Sequence, residues 1–440
     1  MRVRLSDPMA VAAFVAFVLA PLALPSFATA GDYIVVLREG SVDPGGLAAQ
    51  HGKAYGFLAR FVYRAALRGY AAGLSARAAA AIAADPRVAF VAPDYPMEAK
   101  PCVLGRESPS GSDQCLPTGV DRIDGDLSST TSGDGSGTVD VDVAVLDTGI
   151  DLDHPDLNVV GGVNCSNGRS FDDPEGHGTM VAGIIGARDD GSGVVGVAPG
   201  ARLWAVRVLK KTGQGTASSI ACGIDWVTAT RTDADPGNDI EVANMSLGAK
   251  NFDDENCGLT KPDAVHLAIC NSVAAGVIYV VAAGNSASDL GRETPASFAE
   301  VLTATSMNDV DGQPGTIGSS PDCLGALDDR RSGFSNFATL AIDQVHTIAA
   351  PGACIRSTTI GGGYGIGDGT SFATPHVAGT VALCIAAGPC SGMTPAEIIQ
   401  KIRSDAEDYN LANTGYGFFG DPIDPIPGQY FGYLIRAAAY

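Results

Sequence analysis

The chain has 440 residues, 45% hydrophobic and 18% charged, which excludes an intrinsically disordered protein and leaves room for two or three domains. Its 49 acidic residues outnumber 28 basic ones, for a formal net charge of −21 that argues against a nucleic-acid partner. The excess lies in residues 101–440, with 42 acidic and 18 basic side chains, whereas residues 31–100 hold 6 and 8.

In chain order, residues 1–30 read as an export signal. Arg2 and Arg4 give a positive start, residues 9–24 are an apolar run broken by Pro21, and Ala28-Thr29-Ala30 fits a small-x-small cleavage site. The run is short for a membrane span and no stop-transfer charges follow, so the expected protein is secreted (extracellular or periplasmic) with no stable span. All ten cysteines lie from Cys102 onward, an even number that suits disulfides in an exported chain. Proximity suggests Cys102–Cys115, Cys257–Cys270, Cys323–Cys354 and Cys384–Cys390, leaving Cys165–Cys222. No CxxC pair supports a zinc site.

Residues 31–99 read as a small α+β unit in the order strand, helix, strand, helix, strand. Residues 33–37 (YIVVL) form a strand. Residues 75–84 form a helix capped by Ser75 and stopped by Asp85-Pro86, and 88–91 (VAFV) a strand before Pro93. Residues 100–120 read as a linker and an arm of the next domain, 100–440. There, strands at 139–146, 203–209, 240–245 and 277–282 alternate with helices at 178–187, 217–230 and 263–275. The strands are apolar throughout, so the expected fold class is α/β, a parallel central sheet with helices on both faces.

Four residues stand at strand ends and helix starts. Asp147 ends the strand in VLDTG, the edge at which open α/β sheets bind ligands, although alone it reads equally as an Asx-turn. His177 stands between two glycines at a helix start in GHGTMVAG; His51, His154, His266, His346 and His376 are read as structural. Asn285 ends VVAAGN and offers an amide donor, or simply a left-handed turn residue. Ser371, in GDGTSFATPHVAG, is either an N-cap or a nucleophile at a helix start. Together they have complementary roles: Asp147 orients His177, His177 takes the Ser371 proton, and Asn285 with the Ser371 N–H stabilises an oxyanion. A lipase or esterase would show G-x-S-x-G around the serine, and a binding protein on a dead enzyme fold would lack Asp147, His177 or Ser371; neither description fits.

The segments AVLDTGID, GHGTMVAG, NMSLG, VVAAGNS and GTSFATPHVAG resemble the subtilisin-like (subtilase) family of serine endopeptidases over residues 100–440, and residues 31–99 resemble its inhibitory propeptide. The resemblance implies a subtilisin-like fold, protein and peptide substrates, a monomer, and a zymogen inhibited by its own propeptide. It implies that Ser246, Leu247 and Gly248, with Ala283 and Gly284, pair with the substrate backbone and line its first pocket. Gly213 and Gly215 would form the opposing strand, so that an extended peptide adds itself between two edges. Glu293, toward the far wall of that pocket near 293–296, would favour basic or disfavour acidic side chains. The resemblance also implies structural calcium and no organic cofactor. Asp156 would be a ligand, with the Asp190 carboxylate and backbone carbonyls of Arg188, Ser192 and Val194 in the 188–194 loop completing the set; on the residues alone that loop reads as a solvated turn. Phe372 departs from the family, many of whose members carry Met there.

Overall fold

The computed structural model describes residues 31–38, 43–99, 114–315 and 327–440. The expected export segment, Cys102 and Cys323 lie outside the described residues. Among those residues no helix is long and apolar enough to cross a membrane.

The N-terminal unit is an antiparallel sheet in the order Phe61–Tyr63, Gly69–Leu74, Gly31–Leu37, Val88–Pro93. Helices Pro44–Tyr55 and Ala76–Ala83 complete it, the second capped by Ser75, whose Oγ accepts from Ala78 N at 3.1 Å. The middle of the unit holds two strands where the sequence suggests one, because the basic turn 64–68 separates a three-residue strand from the longer one. Alternation gives the central strand two buried faces. Val35 and Leu37 pack with the unit's own helices, while Ile34 and Val36 join the core of the following domain.

That domain is built on an eight-stranded sheet. Seven strands run parallel in the order Thr347–Ala353, Leu302–Asn308, Ile278–Ala282, Val242–Met245, Asp142–Asp147, Arg202–Arg207, Val159–Asn164. Arg330–Arg331 adds a short antiparallel pair to Leu302–Asn308. Both faces are covered, as continuous apolar strands require. Val143 and Val145 pack on the side of helices His177–Gly186 and Thr370–Ala386. Ala144 and Leu146 face the opposite core, with Ala217–Thr230 and Ala264–Ala274. Thr216 and Asp263 cap the latter two helices, which sharpens boundaries that the apolar pattern marks only to a residue or two.

The N-terminal unit docks on those two helices. The Asp225 carboxylate accepts from Ala65 N at 2.7 Å and Ala66 N at 2.8 Å, and Asp94 accepts from Ser218 N at 2.7 Å at a helix start. From there the chain runs into strand Pro96–Ala99, which enters between Gln214–Thr216 and Leu247–Lys250 and pairs antiparallel with both.

Disulfides Cys257–Cys270 and Cys384–Cys390 form as proximity suggests, Cys165–Cys222 forms as the remaining pair, and Cys354 is also disulfide-bonded. Cys115 departs from the expected pairing with Cys102: it is a free thiol, 3.5 Å from Arg356 Nη1. Its backbone is held against the 188–194 loop by a bond from Cys115 N to Gly193 O at 2.7 Å, and nearness in sequence does not supply the geometry a disulfide needs.

Candidate active site

The four residues come together where the parallel strands end. Asp147 is the last residue of its strand and fully buried; its Oδ1 and Oδ2 lie 2.8 and 2.9 Å from His177 Nδ1. Thr148 N also donates to Asp147 Oδ1 at 2.7 Å. With Nδ1–H committed to the carboxylate, the His177 lone pair is on Nε2, which is buried and without a hydrogen-bond partner.

His177 opens helix His177–Gly186. That start is held by Asp173, which accepts from Gly176 N, Thr179 N and Thr179 Oγ1 at 2.9, 3.0 and 2.7 Å, and by Glu175, which accepts from His177 N at 2.8 Å. Gly178 permits the approach, since a Cβ there would fall 2.1 Å from Gly149 O. Burial alone would lower the His177 pKa, but the charge and hydrogen bond of Asp147, with Glu175 and Asp173 beyond, outweigh it and hold the imidazole above its ordinary value.

Ser371 is the second residue of helix Thr370–Ala386, so its N–H is among the first-turn donors that a helix does not use internally. Its hydroxyl donates to Ser246 O at 3.4 Å, while Ser246 Oγ donates to Ser371 O at 2.8 Å. Ser246 thus fixes the helix start with its side chain instead of facing the cleft. Phe372 packs in a buried cluster with Met180, Ile184 and Ile355, its ring 5.8 Å from that of His177.

The Asn285 amide is oriented by Thr370, whose N and Oγ1 donate to Asn285 Oδ1 at 2.9 and 2.8 Å, so Nδ2 is its donor end. Gly284 adopts φ 104°, and a Cβ there would lie 2.4 Å from Asn336 Nδ2, which instead donates to Ala283 O at 2.9 Å. Sequence reading missed Asp173, Thr370 and Asn336; nothing local distinguishes them from ordinary capping and turn residues.

Two strand edges flank the site. Leu247 and Gly248 pair with Ala99 and Glu98, and Gly215 pairs with Met97, while Gly213 turns the chain before this strand with φ 71°. Glu293 is buried beside Gly284 and pairs with Lys250 on the outer edge of the same small sheet.

A separate cradle surrounds Asp156. Its Oδ2 accepts from Val194 N at 3.0 Å and it bonds the Tyr364 hydroxyl, while Oδ1 is buried and accepts nothing. Burial, and secondarily the nearby Asp190 charge, raise its pKa to about 6. The Gln114 amide gathers the carbonyls of Arg188 and Val194 at 2.7 and 3.2 Å. Asp190 and Ser192 are exposed, Asp190 Oδ1 accepting from Ser192 N and Oγ at 3.1 and 2.8 Å. An orphaned buried carboxylate oxygen beside converging carbonyls fits a hard cation. Gln114 escaped the sequence reading because it lies far from the loop in a segment without periodicity.

The profile of the subtilase family matches residues 138–418, and that of the peptidase inhibitor I9 family matches residues 32–100. Subtilisin NAT of Bacillus subtilis subsp. natto is 34% identical over 341 residues, spanning 76% of this chain and 74% of the relative. Subtilisin Savinase of Lederbergia lenta is 37% identical over 274 residues, 61% of this chain and 84% of the relative. A solved cold-adapted subtilisin-like serine proteinase superposes with a TM-score of 0.53 at 29% identity, covering 73% of this chain and 97% of its own. Residues 32–100 are thus a propeptide-type inhibitor unit, and the chain belongs to the subtilase family of serine-type endopeptidases.

Proposed function

We propose that this chain is an exported, self-processing endopeptidase zymogen that works as a monomer, with an export signal over 1–30, an inhibitory propeptide over 31–99 and the enzyme over 100–440. Ser371 attacks the peptide carbonyl as His177 Nε2 takes its proton. Asp147 holds the Nδ1–H tautomer and stabilises the imidazolium. Asn285 Nδ2 and the Ser371 N–H stabilise the tetrahedral oxyanion. His177 then gives its proton to the leaving amine, and water, deprotonated by the same imidazole, hydrolyses the acyl-enzyme.

The observation that carries this reading is the strand Pro96–Ala99. Its register against Leu247 and Gly248 runs stepwise toward Ser246, whose carbonyl accepts from Ser371 Oγ. A substrate backbone bound in the same way would deliver its scissile bond to the serine whatever its side chains, so broad specificity follows. The deciding variant is Ser371→Ala, which should fold without cleaving peptides or itself. Export is supported by the three described disulfides, which suit an oxidising compartment.

Glu293 would bias the first pocket toward basic side chains. In Glu293→Gln the kcat/KM ratio of lysyl over leucyl peptides should fall at least tenfold, as loss of a desolvated charge pair implies. An unchanged ratio would remove Glu293 from specificity.

Asp156, Gln114 and the carbonyls of Arg188 and Val194 would hold a structural calcium ion, with Asp190 as the outer carboxylate and the Ser192 carbonyl completing the loop. Bound calcium supplies only charge balance to this loop and takes no part in the acyl transfer. Chelator should lower Tm and excess calcium restore it, with the increment lost in Asp156→Asn. A Tm indifferent to chelator would count against the site.

A further inference from the structure

A second group of carboxylates lies at the far edge of the central sheet. Asp309 follows directly on strand Leu302–Asn308, and Asp328 stands just before its antiparallel partner Arg330–Arg331. With Asp311 they bring one carboxylate oxygen each within 4.8 Å of one another. Two oxygens on opposite sides of a calcium ion, each about 2.4 Å from it, are separated by about that distance.

The backbone is arranged around these groups. Asp309 Oδ1 accepts from Gly312 N at 3.0 Å, Asp311 Oδ1 from Gln313 N at 2.9 Å and Asp328 Oδ1 from Val310 N at 3.0 Å. Asp309 is fully buried, and its Oδ2 accepts no hydrogen bond. A buried carboxylate oxygen without a donor is costly unless a charge partner is supplied. Arg122 is close enough to act on Asp309, as is the Thr118 hydroxyl; two of the three Arg122 guanidinium nitrogens are bonded elsewhere, while Nη1 is buried and makes no hydrogen bond. Its Nε donates to Asp329 at 2.8 Å and its Nη2 to the carbonyls of Tyr416 and Gly417 at 2.6 and 2.9 Å. A divalent cation at this point would compensate the clustered carboxylates and give the orphaned Asp309 oxygen a partner.

We propose that Asp309, Asp311 and Asp328 form a site for a hard divalent cation such as calcium, which their all-oxygen ligands suit, separate from the Asp156 cradle. The ion would lock a junction of three segments. Gln313 Nε2 donates to Asp121 Oδ2 at 3.0 Å, Arg122 bonds Asp329, and Asp329 exchanges backbone contacts with the C-terminal region through Phe419 N to Asp329 O at 2.9 Å. Calcium here ties helix Thr118–Arg122 and the 416–421 segment to the sheet edge.

The test is equilibrium dialysis of the full chain carrying Ser371→Ala, freed of metal and titrated with calcium chloride. Asp311→Asn and Asp309→Asn should each bind one calcium fewer than the parent, or bind it at least about tenfold more weakly. Asp156→Asn should lose a different ion, so that Asp156→Asn with Asp311→Asn loses two. Asp311 is exposed, so its variant keeps the fold and decides the matter if Asp309→Asn folds poorly. A folded Asp309→Asn chain should match or exceed the parent Tm in chelator but gain less from calcium. Unchanged stoichiometry and affinity in Asp311→Asn overturn the proposal, whatever happens at Asp156.

Discussion

A chain expressed from residue 31 should shed its 31–99 segment after folding, and the same chain carrying Ser371→Ala should stay whole. Strand Pro96–Ala99 is already seated between the two edges that would hold a substrate, so the first bond presented to Ser371 is the chain's own. Removing one hydroxyl leaves this seating intact. Among its losses is a long 3.4 Å hydrogen bond to Ser246 O, worth about 1 kcal/mol, and the volume lost is a single buried oxygen. Peptide hydrolysis should nevertheless fall about 10⁶-fold, the magnitude that loss of the serine nucleophile has in subtilisin itself. Gel analysis over hours and a chromogenic peptide assay read the two consequences. If both chains are trimmed, a foreign protease does the processing; if both stay whole while the parent cleaves added peptide, the propeptide is not self-released. Peptide hydrolysis retained by Ser371→Ala would remove Ser371 as the nucleophile.

What the sequence made legible follows from how local each feature is. Helix Ala217–Thr230 was readable because Ile220, Ile224 and Val227 mark its buried face; its Thr216 cap emerges only in the structure. The parallel sheet was readable from strands without polar alternation. Strands Val159–Asn164 and Thr347–Ala353 were not, since Gly161, Gly162, Pro351 and Gly352 break the apolar pattern and only tertiary pairing makes them strands. The same division runs through the site. Asp147, His177, Asn285 and Ser371 lie in segments whose small residues and element boundaries set them apart. The groups that hold them, Asp173, Thr370 and Ser246, act through side chain to backbone bonds that leave no pattern in one sequence. The Asp309 group was hidden for another reason. Asp309 and Asp311 are adjacent to a strand end, but Asp328 joins them only because Arg330–Arg331 folds back on Leu302–Asn308.

Asp147→Asn should be the second most damaging single change, and its pH profile separates positioning from simple loss of structure. Burial would by itself depress the His177 pKa; the Asp147 charge and hydrogen bond, then Glu175 and Asp173, reverse that and leave it raised above 6.5. The base works only when neutral, so kcat/KM should fall as pH drops through a value above 6.5, higher than an unperturbed imidazole predicts. Asparagine removes the charge, so the acid limb should move to lower pH. An amide nitrogen turned toward Nδ1 would also place the ring proton on Nε2, the atom that must receive the Ser371 proton. The turnover number should therefore drop on the order of 10⁴-fold, the cost that the same Asp-to-Asn change carries in a chymotrypsin-type triad. Stability responds with a definite sign. A raised histidine pKa stabilises the fold most below the unfolded value, and that contribution is lost as pH rises through the folded one. The Tm advantage of the parent over Asp147→Asn should accordingly shrink between mildly acidic and alkaline pH, while the deficit in turnover persists at alkaline pH. An acid limb that stays in place in the variant would mean that Asp147 does not set the His177 charge, and the assigned division of roles would fail.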